Sequence, residues 1–72
     1  MQETMLKAQR IKAGLTQQQL SDIARVNIRQ IQRVENGESE AGNMTARNLL
    51  AIATALCVDP YILLKEVNKN DR

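Results

Sequence analysis

The sequence predicts an all-α fold, a compact bundle of five short helices. Three observations lead there. One proline occurs in 72 residues. No segment alternates apolar and polar residues with period two, as a half-buried strand does. One helix-start device, a capping residue flanked by two apolar residues, recurs along the chain.

A first helix is expected from about Thr4 to Ala13, closed by Gly14. Thr16 opens the second, with Gln19 as its capping-box partner and Leu15 and Leu20 as a hydrophobic staple; it runs from about Gln17 to Ala24. Asn27 repeats the device with Gln30, between Val26 and Ile31, and opens a third helix from about Ile28 to Asn36 that Gly37 ends. "ESEAGN", residues 38–43, reads as a polar loop. Thr45, between Met44 and Leu49, opens a fourth helix over about 46–57. Asp59 followed by Pro60 gives a cap and a first-turn proline for a fifth, over about 60–67, before a frayed "NKNDR" tail. Helices this short persist only by packing on one another. The periodicity assigns the core to Leu6, Leu20, Ile23, Ala24, Val26, Ile31, Val34, Leu49, Ile52, Ala53, Leu56 and Ile62.

Composition narrows the function. The length suits a single domain over 1–72, with a core at about 5–64. One tyrosine and no phenylalanine or tryptophan leave no ring platform for stacking unpaired bases. No histidine exists to serve as a general base, and no glycine-rich phosphate loop or metal-ligand cluster is present, so neither an enzyme nor a cofactor is expected. Cys57 reads as a small hydrophobe buried in the fourth helix. A single cysteine forms no intrachain disulfide and fits a reducing compartment. No apolar run approaches the roughly 20 residues of a membrane span. The opening "MQETMLKAQR" is too polar and acidic for a signal peptide. These features point to a soluble cytoplasmic protein with no membrane partner and no evident small-molecule substrate.

The net charge of +2 conceals an asymmetry. Residues 7–33 carry Lys7, Arg10, Lys12, Arg25, Arg29 and Arg33 against Asp22 alone, net +5. Residues 34–72 carry four cations against six carboxylates, net −2. The first half is suited to an anion. Within it, residues 16–36 form two helices separated only by Arg25, Val26 and Asn27, the spacing of a helix-turn-helix unit, whose second helix enters a major groove. Ile31 and Val34 face inward on that helix, which leaves Ile28, Arg29, Gln32 and Arg33 for base edges. An arginine fork matches guanine O6 and N7, glutamine matches adenine, and an isoleucine can pack on a thymine methyl. Gln17, in the first turn of the second helix, and Asn36, at the exit of the third, are placed for phosphate oxygens.

The stretches "LKAQRIKAGLTQQQLSDIA" (6–24), "VNIRQIQRVENG" (26–37) and "LLAIATALCVDPYILL" (49–64) resemble the Cro/C1-type, or XRE, family, the helix-turn-helix domains of lambdoid phage repressors and Cro proteins. The resemblance covers nearly the whole chain. It implies a lambda-repressor-like fold and a repressor-like regulator of transcription, bound as a dimer to a near-palindromic operator in double-stranded DNA. By that resemblance Gln17 contacts phosphate and braces the recognition helix, and Ile28, Arg29 and Arg33, with Gln32 beside them, read bases. The resemblance also implies that Asn36 contacts phosphate; Asn27 and Arg25, at the other end of the helix, are further expected phosphate contacts. Arg10 and Glu35 form a structural ion pair. The last helix implies a dimer surface of Tyr61, Leu63, Leu64 and Val67.

Two residues depart from the family pattern. Arg25 stands where a glycine with positive φ is usual, which predicts an arginine that holds, or narrowly avoids, a left-handed backbone. Ile28 replaces a polar residue at the first base-reading position. The acidic "GESE" after the third helix (37–40) keeps open an alternative, a protein-interaction module or antitoxin-like partner that retains the fold with weak or no specific DNA binding.

Overall fold

The computed structural model describes residues 4–64. Over that range the chain forms α1 (Met5–Lys12), α2 (Gln17–Ala24), α3 (Ile28–Glu35), a single 3₁₀ turn (Ala41–Asn43), α4 (Ala46–Leu56) and α5 (Pro60–Leu64). The architecture is all-α, with α2 and α3 as the helix-turn-helix unit.

The caps explain where the helices begin. Thr4, Thr16 and Thr45 each accept a hydrogen bond from the backbone N–H three residues on, at 3.1, 3.0 and 3.2 Å. At Thr16 the box closes, because its own N–H donates to the Gln19 side chain at 2.9 Å. Asn27 departs from the expected box. Its side chain accepts from the N–H of Arg29 at 2.8 Å, a shorter two-residue loop natural to asparagine, and Gln30 is turned to another partner. Asp59 makes the same short loop with the N–H of Tyr61 at 2.9 Å.

The helix ends use left-handed residues. Gly14 and Gly37 have φ of 77° and 80°. Arg25 has φ 58° and ψ 43°, so of the two expected outcomes it holds the left-handed backbone, and the N–H of Val26 closes back on the Ser21 carbonyl at 3.2 Å. Cys57 has φ 58° and ψ 42° and is exposed, so it ends α4 and does not fill its interior. The expectation of a buried Cys57 is thus corrected: once the backbone turns left-handed the side chain leaves the helical stripe.

Leu20, Ile31 and Ile52 are fully buried at the centre of the core, with Leu6, Ala24, Val26, Val34, Ala53 and Leu56 around them. Three expected core positions differ. Ile23 is 57% exposed, because Leu20 and Ala24, one turn apart, already supply the inward stripe of α2. It rims a shallow apolar groove with Leu50 of α4, also exposed. Leu49 is half-buried against the core. Ile62 is half-buried and Leu63 takes the inward place at 4% exposure, since a five-residue helix gives too little periodicity to fix its phase from sequence. Ala41, in the expected loop, is buried as the first residue of the 3₁₀ turn.

Candidate nucleic-acid interface

The placement of α3 begins with one buried carboxylate. Glu35 lies at the end of α3, with its side chain 2% exposed. A lone charge there would be strongly destabilising, so its oxygens must be fully used. Nε of Arg10 donates to Oε2 at 2.6 Å, and Nη2 donates to Oε1 at 2.9 Å. Gln17 Nε2 donates to the same Oε1 at 3.0 Å. Arg10 Nη1 donates to the Leu15 carbonyl at 2.7 Å, which ties in the loop before α2. The hydrogen bond to Glu35 raises the pKa of Arg10 above the ordinary arginine value, with partial desolvation opposing it. The pair joins α1, α2 and α3 at one point. The ion pair expected between Arg10 and Glu35 is present, and Gln17 is its third member.

The same contact carries the start of α2 to the end of α3. Gln17 is therefore tied to the end of α3 that Asn36, its exposed C-cap, closes. The capping box uses the N–H groups of Thr16 and Gln19. Those of Gln17 and Gln18 have no partner among the described residues and are free for an anionic oxygen. At the opposite end of α3 stand Arg25 and Asn27, both exposed. The Asn27 side-chain oxygen is taken by its own helix, which leaves its amide N–H groups to donate outward. Ser21 Oγ donates to the Val26 carbonyl at 2.6 Å and holds the turn between them.

Between these two ends runs the outward face of α3. Arg29, Gln32 and Arg33 are exposed and share one side, as residues spaced by three and four must. Ile28 is half-buried at its margin. An eight-residue helix is about 12 Å long, so three or four side chains span the face, a scale matched to a few base pairs. Exposed Glu38 and Glu40 follow directly on α3.

Two groups escaped the sequence reading. Asn48 of α4 donates its side-chain amide to Gln30 of α3 at 3.0 Å. A polar hollow opens between α3 and the start of α4, lined by Gln30, Arg33, Ser39, Asn43 and Thr45. Eighteen residues separate Gln30 from Asn48, and neither lies in a motif that signals the pairing.

The proposed dimer surface divides. Tyr61 is 73% exposed and Leu64 is exposed, while Leu63 belongs to the core of the single chain and cannot present itself to a partner. Val67 lies outside the described residues. Among the described residues no cluster of three or more potential metal ligands occurs, and no helix is long and apolar enough to cross a membrane.

The sequence pattern of the helix-turn-helix family matches residues 6–63, most of the chain. The chain belongs to the helix-turn-helix family. The match spans α1 to α5 and so includes the Glu35 cluster as well as the two-helix unit. Searches of curated proteins and of solved structures returned no match. Membership in the helix-turn-helix family supports a DNA-binding, regulatory role, since this architecture presents its second helix to a groove.

Proposed function

We propose that this helix-turn-helix protein is a sequence-specific double-stranded DNA-binding regulator of the Cro/C1-type, or XRE, class, acting in the cytoplasm as a repressor-like dimer without cofactor or catalysis. The observation that carries the reading is the layout of α3. A face of Arg29, Gln32 and Arg33 is bracketed by Gln17 and Asn36 at one end and by Arg25 and Asn27 at the other. In this reading the bracketing groups contact phosphates and set the register, and the face between them reads bases. Ile28, half-buried beside that face, packs on a thymine methyl. Exposed Tyr61 and Leu64 supply the two-fold contact.

Selection from a pool of random duplexes tests the proposal. A palindromic site with half-site centres about one helical turn apart, roughly 34 Å, is the expected product. No enriched sequence, with binding equally weak to every duplex, would move the balance to an interaction module. Exposed Glu38 and Glu40 beside the recognition helix are the feature that favours that second reading.

A further inference from the structure

We propose that Asn48 is a positioning residue for the recognition helix, acting through Gln30 to set the stance from which Arg33 meets DNA; this rests on the DNA-binding reading. The other polar ties on α3 lie at its ends. Glu35 is held by Arg10 and Gln17 at the exit, and Asn27 and the Ser21–Val26 bond fix the entrance. The bond from Asn48 Nδ2 to Gln30 Oε1, 3.0 Å, reaches the helix between these points. It comes from α4, an element that the helix-turn-helix unit does not contain.

Asn48 is itself anchored. Its backbone N–H donates to Thr45 Oγ1 at 3.2 Å in the cap of α4. Gln30 lies one turn before Arg33, and both line the polar hollow between α3 and α4. The chain Thr45–Asn48–Gln30 therefore fixes the wall from which Arg33 extends. A side-chain bond between two half-buried amides contributes modestly to stability, but a small rotation of α3 moves the tip of a long arginine by much more than its Cα. Specificity is thus more sensitive to the brace than folding is.

The test uses the duplex selected by the wild-type protein and the same duplex changed at the base pair where Arg33→Ala relaxes discrimination. Asn48→Ala should reduce discrimination at that pair roughly five-fold, the worth of about one neutral hydrogen bond. Gln30→Glu still accepts from Asn48, and Asn48→Asp can accept from a rotated Gln30 amide, so each alone should keep the discrimination ratio. Together they place two acceptors face to face and should lose it. Hydrogen exchange of α3 amides in the free protein gives a DNA-independent arm: Asn48→Ala and the double change should speed exchange, and Gln30→Glu should not. An unchanged ratio in Asn48→Ala, or unchanged α3 exchange, overturns the brace. If the wild-type protein selects no duplex, the DNA-binding reading fails, and the exchange arm decides the brace by itself.

Discussion

Gln17 of α2 donates to Glu35 of α3 across 3.0 Å, on the same oxygen that accepts from Arg10. One carboxylate therefore fixes both the entry of the positioning helix and the exit of the recognition helix. Any contact that Gln17 makes with a phosphate is mechanically tied to the placement of Arg33, two residues before Glu35.

The buried pair should be costly to split and less costly to replace. Glu35→Ala leaves the Arg10 guanidinium without its main partner and should reduce unfolding free energy by about 3 kcal/mol in urea. Arg10→Met should do the same from the other side. The double change Arg10→Met/Glu35→Leu should recover a large part of the loss, because no unpaired charge remains. Additive single losses in the double variant would contradict the ion-pair account.

Arg33→Ala and Gln17→Ala should fail in different ways. The first should relax preference at one base pair of the half-site, costing about 1–3 kcal/mol there. The second should weaken binding to all duplexes by a similar factor. Competition binding across a panel of single-base variants separates them. A Gln17→Ala profile confined to one base pair would show that the two roles are misassigned.

Arg25 gives one substitution with two readouts. A left-handed arginine costs roughly 1 kcal/mol relative to glycine at the same φ, so Arg25→Gly should raise stability by about that amount. The same change removes a cation from the turn. If Arg25 meets a phosphate, the slope of log affinity against log salt should fall by about 1. A stability gain with an unchanged slope would leave the backbone argument standing and remove Arg25 from the interface.

Tyr61→Lys and Leu64→Lys should lower the dimer fraction in sedimentation with little effect on the unfolding midpoint, since both side chains are exposed in the single chain. Leu63→Ala should instead cost about 2–5 kcal/mol of stability, as a core truncation does. A monomeric Leu63→Ala protein of normal stability would reverse the two assignments.

Most of the fold was legible because its signals are local. Caps at Thr16 and Thr45 and left-handed stops at Gly14 and Gly37 act within four residues of themselves, so sequence alone locates them. The left-handed Arg25 was legible only through family resemblance, as an arginine carries no such signal by itself. Ile23 and Ile62 were misplaced because an apolar residue on the flank of a short helix satisfies the periodicity without facing the core. Cys57 was misplaced because nothing local marks a non-glycine helix stop. The Gln30–Asn48 bond is a tertiary match between two elements, and the expected cap of Asn27 by Gln30 drew the wrong partner from nearby sequence.

On the proposed reading, the face of Arg29, Gln32 and Arg33 binds DNA by sequence while Gln17, Arg25, Asn27 and Asn36 hold its backbone. Fluorescence anisotropy with the selected duplex and a scrambled duplex, each at about 50 and 200 mM salt, is the decisive measurement. Affinity for both duplexes should fall steeply with salt while a preference of at least about 10³-fold for the selected site persists. Equal affinity for the two duplexes at both salt concentrations would contradict that reading.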